Sequence, residues 1–137
     1  MANIKVYCDG GSRGNPGPSS VAFIVFEEKI KTYQEGRFIG KGTNNTAEYT
    51  AVIDALNWLS NNNKVGDSIE FFLDSELVVN QLTGKFKVQT ESIFQLARRV
   101  KNLERFFKNK ISYKHIPREE NKDADVLVNK TMDDFFS

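Results

Sequence analysis

Four carboxylates stand where the chain changes direction. Asp9 follows Ile4, Val6 and Cys8, which alternate with Lys5 and Tyr7, and Asp74 follows the apolar run Ile69 to Leu73. Glu48 and Asp125 fall in the opening turns of two stretches with helical spacing. Taken singly, each is explained as a turn residue, a cap or a dipole partner. Taken together they would repel one another. Several ionised carboxylates within a few ångströms need raised pKa values or bound cations, and an oxygen-only set favours hard ions such as Mg²⁺ or Mn²⁺. Two such ions, about 4 Å apart, can activate water at a phosphodiester and stabilise the leaving oxygen. Phosphoryl transfer is therefore the chemistry that this ligand set would serve. Covalent catalysis has no support, because the serines and Cys8 lack an evident histidine partner and the sole histidine is His115.

The elements that would carry these groups follow from periodicity. Residues 4–8 read as a strand that stops in a turn at Asp9-Gly10-Gly11. The continuous apolar run VAFIVF at 21–26 reads as a central strand buried on both faces, and a third strand at 31–39 follows the Glu27-Glu28-Lys29 turn. Ala47, Ala51, Ala55, Trp58 and Leu59 then predict a helix capped by Thr43-Asn44-Asn45 and ended by Asn61-Asn62-Asn63. A fourth strand at 69–73, a short helix through Leu82 and a break at Gly84 come next. Ile93, Leu96, Ala97, Val100, Leu103 and Phe107 trace the inner face of a second long helix, Ile111 to His115 a fifth strand, and Ala124 to Phe135 a last helix starting near Asn121. A meander followed by alternating helices and strands predicts an α/β fold with a mixed sheet, its parallel part covered by helices on both faces. Strands one and four can be neighbours in such a sheet, which would set Asp9 beside Asp74.

The 137 residues, 39% hydrophobic and 27% charged with 11 phenylalanines, suit one soluble globular domain spanning 1–137. No apolar run is long enough to cross a bilayer. The opening MANIKVYCDGG has neither a charged leader nor a cleavage site, so a cytoplasmic location is expected. The lone Cys8 allows no internal disulfide and is expected to pack inside a strand. The net charge of +1 gives no global pull on polyanions, but Arg98 to Lys114 holds seven cations against Glu104 alone, a local +6. Such a run is more often a solvated helix face than a binding stripe.

Four segments resemble the signatures of type 1 ribonuclease H, in order along essentially the whole chain. They are Asp9-Gly10-Gly11-Ser12-Arg13-Gly14-Asn15-Pro16-Gly17-Pro18, Thr43-Asn44-Asn45-Thr46-Ala47-Glu48, Leu73-Asp74-Ser75 and Asn121-Lys122-Asp123-Ala124-Asp125. The resemblance implies the ribonuclease H-like fold, with a five-stranded sheet whose first three strands are antiparallel. It implies that Asp9, Glu48, Asp74 and Asp125 hold two Mg²⁺ or Mn²⁺ ions, and that water cuts the RNA strand of an RNA/DNA hybrid to leave 5′-phosphate and 3′-hydroxyl ends. A monomer with no obligatory protein partner and no membrane association is expected.

Restriction to RNA requires sensing the 2′-hydroxyl in the minor groove. Ser12, Gly14 and Asn15 are candidates through their backbone groups. The resemblance adds Asn44 and Asn45 as groove contacts and Thr43 as part of a pocket for a phosphate of the DNA strand. A hairpin turn and a helix cap are the plainer explanations of these two segments. His115 precedes Asp125 by the interval of a histidine that assists leaving-group protonation or product release in some relatives, and Arg118 competes as the basic helper.

Two departures stand out. Glu76 replaces the neutral glutamine of many relatives, and the chain passes Gly84-Lys85-Phe86-Lys87 straight into the next helix without the basic, tryptophan-containing protrusion of some relatives. Lys85 and Lys87, with part of the basic run, would substitute for it. These departures motivate a second class of function, a hybrid-binding module that has lost turnover. A third, another nuclease or recombinase of the same fold, would cut plain DNA duplex.

Overall fold

Ile4, Val6 and Cys8 do turn to one buried face, and in the computed structural model they belong to a strand that runs past Asp9. The structure describes residues 3–137; Met1 and Ala2, the start of the stretch read as leaderless, lie outside them. Strand β1 is Asn3–Ser12, β2 Gly17–Glu27 and β3 Ile30–Gly42. Both β1/β2 and β2/β3 pair antiparallel, giving the expected meander. The predicted turn at Asp9-Gly10-Gly11 does not occur, since Asp9, Gly10, Gly11 and Ser12 stay paired with Ala22, Val21, Ser20 and Ser19. The reversal comes at residues 13–16. Asp9 is thus inside a strand, paired with Ala22 of β2, rather than at its end.

Helix α1, Asn44–Asn61, starts at Thr43, whose hydroxyl accepts from the Thr46 N–H while Thr46 Oγ1 accepts from the Thr43 N–H. This reciprocal box satisfies two donors that helix starts otherwise leave free. Glu48 consequently sits one turn further in than predicted. Strand β4, Ser68–Leu73, pairs parallel with β1 and with β5, Ser112–His115, completing the order β3-β2-β1-β4-β5. Helix α2 is Glu76–Leu82, capped by Ser75, and α3 is Glu91–Glu104. Phe107 lies beyond the end of α3, yet it is buried against the same core. A single 3-10 turn at Arg118–Glu120 leads to α4, Lys122–Phe136.

The main core lies between the sheet and α1, with Val6, Cys8, Phe23, Leu56, Phe71 and Leu73 fully buried. Cys8 packs there, as its place in the strand predicts. The run Val21 to Val25 is buried throughout because α4 covers the other face of β1 to β3. Of the parallel strands that helix covers β1 but packs little or not at all on β4 and β5, so the expected cover on both faces reaches only part of the parallel region. Phe72 on the open side of β4 is instead shielded by Tyr7, stacked at 4.9 Å with an interplanar angle of 18°. No helix among the described residues is long and apolar enough to cross a membrane.

Candidate active site

The β1/β4 register pairs Tyr7 with Phe72, and continued two residues further it sets Asp9 opposite Asp74. The third carboxylate arrives through Gly10. A Cβ at this glycine would lie 2.3 Å from the Ala47 carbonyl carbon and 2.6 Å from Glu48 N, closer than real atoms approach. Only glycine lets the strand and α1 meet backbone to backbone, which brings Glu48 beside Asp9. The Gly10 N–H then faces both side chains, donating to Asp9 Oδ1 at 3.0 Å and to Glu48 Oε1 at 3.4 Å.

Carboxylate oxygens of Asp9, Glu48 and Asp74 all lie within 4.8 Å of one another. Burial, reinforced by the charges of Asp74 and Asp125, pushes the Asp9 carboxyl up to about 7. Burial also holds Glu48 well above the usual carboxylate range, with the charge of Asp9 adding to it. Glu48 Oε2 is buried with no hydrogen-bond partner in the protein. A buried acceptor left without a donor is costly, and three carboxylates turned on each other are self-repelling. A hard divalent cation answers both conditions, so the donor set fits Mg²⁺ or Mn²⁺.

Asp125 is less closely placed. It is outside the tight group of three, although it lines the same cavity of about 360 Å³ and acts on Asp9 through its charge. The cavity wall also holds Ser12, Arg13, Asn44, Asn45, Asp74 and Arg118. Gly14, Asn15, Thr43, His115, Lys85 and Lys87 are outside that wall. Asn15 Oδ1 accepts from the Asn44 N–H at 3.0 Å, and Asn44 Oδ1 accepts from the Ser12 N–H at 2.9 Å, so these residues brace one another across the mouth. The Ser12 N–H, a candidate groove contact, is therefore already engaged. The Ser12 hydroxyl is likewise turned to the carbonyls of Gly14, Gly17 and Gly42. His115 Nδ1 lies 3.9 Å from Glu76 Oε2, both outside the cavity wall. The extra carboxylate thus faces the histidine rather than joining the group of three.

Asn121 opens the fourth of the family-like motifs and takes no assigned role from the sequence. Its side chain is buried, with Nδ2 donating to Cys8 O at 2.9 Å and to Asp74 Oδ2 at 3.0 Å. Both partners are acceptors, which fixes which way round the amide lies. Its place at the head of the Asn121 to Asp125 motif was the one signal the sequence offered. A larger cavity of about 590 Å³ opens elsewhere, walled by Lys5, Tyr7, Ile24 and Phe26. The only convergent ligand group among the described residues is at the smaller one.

Fold and site together define the ribonuclease H-like class: a 3-2-1-4-5 mixed sheet with carboxylates converging at β1, β4 and α1. A family described as reverse transcriptase-like matches residues 7–131. The chain is 38% identical over 132 residues to ribonuclease HI of Halobacterium salinarum, covering 96% of this chain and 65% of that protein. It is 35% identical to the bifunctional protein Rv2228c of Mycobacterium tuberculosis over 95% of this chain and 35% of that protein. It thus spans about two-thirds or less of the length of these relatives. Among solved structures, LC11-RNase H1 in complex with an RNA/DNA hybrid superposes with a TM-score of 0.92 at 36% identity, covering 98% of this chain and 99% of that one. The chain belongs to the type 1 ribonuclease H family.

Proposed function

We propose that residues 1–137 form a single catalytic domain that hydrolyses the RNA strand of RNA/DNA hybrids, leaving 5′-phosphate and 3′-hydroxyl ends. The observation that carries this reading is the trio Asp9, Glu48 and Asp74, the first two buried and the third half-buried, with its orphaned Glu48 Oε2, in a chain of this family. Asp9, Glu48, Asp74 and Asp125 hold two Mg²⁺ or Mn²⁺ ions. When bound, such a pair activates the attacking water and neutralises the leaving oxygen.

The chain's own groups do the rest. Asn121 holds Asp74 in place, and the Gly10 N–H orients Asp9 and Glu48. Asn44 and Asn45 offer side-chain amides to the minor groove, where the 2′-hydroxyl distinguishes RNA. Ser12, Gly14 and Asn15 shape that contact, and Thr43 fixes the start of α1 beside a DNA phosphate. Arg118, in the cavity wall, supplies fixed positive charge to the scissile phosphate, since a guanidinium cannot give up its proton. His115, at the end of β5 and facing Glu76, assists product departure. Lys85 and Lys87 attract the hybrid backbone. The work is done by a monomer in the cytoplasm, a setting supported by a single cysteine that can form no internal disulfide.

The test is to label each strand in turn and incubate hybrid, RNA duplex, DNA duplex and single strands with Mg²⁺ or Mn²⁺. Cleavage of RNA within the hybrid, with 3′-hydroxyl ends, is the expected result. The exposed Glu76, a carboxylate two residues beyond Asp74, favours one other reading, a binding module without turnover. Binding of the hybrid, read by mobility shift under the same conditions, without cutting would favour that reading instead.

A further inference from the structure

Charge is sharply segregated in this molecule. Residues 85–114 hold nine cations and two carboxylates, a net +7, while the remaining residues hold ten cations and sixteen carboxylates, a net −6. Among the described residues, Lys101 alone of the nine is ion-paired, to Glu104 at 3.4 Å. The carboxylate site lies in the acidic part, so a polyanion reaching it must be held from the basic side.

The basic surface has an organised face. With Ile93, Leu96, Val100 and Leu103 turned inward, helical spacing lines up Phe94, Arg98, Lys101 and Arg105 on the outward side of α3, where all four are exposed. Lys101 Nζ donates to Leu82 O at the end of α2. The chain must return from there to Glu91, ten residues earlier on α3, so Lys85, Phe86 and Lys87 lie in the segment that joins the end of α2 to the start of α3. The stripe also has a direction. Lys108 N donates to Val65 O just before β4, so the C-terminal end of α3 lies at the far end of the sheet from Asp74. The N-terminal end, with Phe94, is the end nearer the carboxylates.

Three phenylalanines sit uncovered among these cations: Phe86, Phe94 and Phe106, exposed by 49%, 45% and 66%. A duplex backbone needs only cations, because its bases are already stacked inside. Unpaired bases need aromatic faces as well, and alternating cations with aromatics is how single strands are held. We propose that the outward face of α3, with the 85–87 segment, binds single-stranded nucleic acid flanking the hybrid at the carboxylate site. The inference rests on the proposed hybrid activity for its purpose, and on charge and exposure for its chemistry.

The probe is a fluorescent oligodeoxythymidine of about 15 nucleotides, the upper end of a single-fold site, titrated with the wild-type chain and read by anisotropy. Binding should weaken with salt in proportion to the phosphates neutralised. Phe94→Ala should weaken it about tenfold, as expected for one lost base stack, while Phe94→Tyr restores it. Phe94 is half-exposed, and unchanged thermal unfolding will show that the variant is folded. Blunt DNA duplex should bind less tightly and be indifferent to Phe94→Ala. The proposal is overturned if the oligonucleotide fails to bind, if Phe94→Ala binds it as tightly, if duplex is preferred, or if polyglutamate competes equally well. Cleavage of a blunt hybrid is measured alongside. Cleavage without oligonucleotide binding overturns only this inference, and oligonucleotide binding without cleavage overturns only the activity.

Discussion

The Asn121 side chain donates one N–H to Asp74 Oδ2 at 3.0 Å and the other to the carbonyl of Cys8, the residue before Asp9, at 2.9 Å. One amide thereby ties the start of α4 to both strands that carry opposed carboxylates. Such outer partners set the orientation of metal ligands and are felt in their affinity.

Replacing Asn121 by Ala leaves a buried carbonyl and a carboxylate oxygen without their donor. We expect a loss of about 1–3 kcal/mol in urea unfolding, together with Mg²⁺ binding weakened by about tenfold or more in calorimetric titration. A variant that loses stability but binds Mg²⁺ as before would make Asn121 a purely structural residue.

Gly10→Ala should be more severe than a surface glycine change. The added methyl group would meet the backbone of Ala47 and Glu48 at 2.3–2.6 Å, and neither β1 nor α1 can give way cheaply. A destabilisation of about 3 kcal/mol is expected from overpacking of this kind, read by denaturant unfolding. Gly40 makes the control, because a Cβ there meets nothing within 4 Å and its positive φ alone is strained.

Without divalent cations, the protein should lose stability as pH rises. Asp9 is raised to about 7 in the fold, above the ordinary carboxylate value near ~3.9 that it takes when unfolded. The folded state therefore holds the proton more tightly. The stabilisation is complete below the unfolded value and is lost as pH climbs through the folded one. Glu48 shifts in the same direction. Melting in EDTA should fall between pH 5 and pH 8, and saturating Mg²⁺ should flatten the decline by binding the deprotonated cluster. A flat profile in EDTA would show that the carboxylates are not mutually strained.

Much of this was legible from local pattern. Val21 to Val25 declared a strand buried on both faces, and Thr43 declared the start of α1. Family order picked out the four carboxylates before any geometry was known. The misreadings have a common cause, since they concern contacts between distant segments. Glycines at 10 and 11 suggest a turn when only neighbours are considered, but Gly10 is there for the passage of α1, 37 residues later in the chain at Ala47. The cover over the parallel strands was over-predicted because sequence does not reveal how far α4 reaches across the sheet. The role of Asn121 was not legible because its partners, Cys8 on β1 and Asp74 just past β4, are both far away in the chain. Glu76 and His115, too, are brought together only by the packing of α2 against β5.

The most direct test of the central claim is the hybrid-cleaving activity of Asp9→Asn in Mg²⁺. Removing one charge from the group of three relieves repulsion, so the variant should fold and melt no lower than wild type in EDTA. Its cleavage of labelled RNA in the hybrid should fall by more than about a hundredfold, beyond the scale on which outer-shell partners act. Undiminished Mg²⁺-dependent cleavage by folded Asp9→Asn would contradict the assignment of this carboxylate cluster as the catalytic centre.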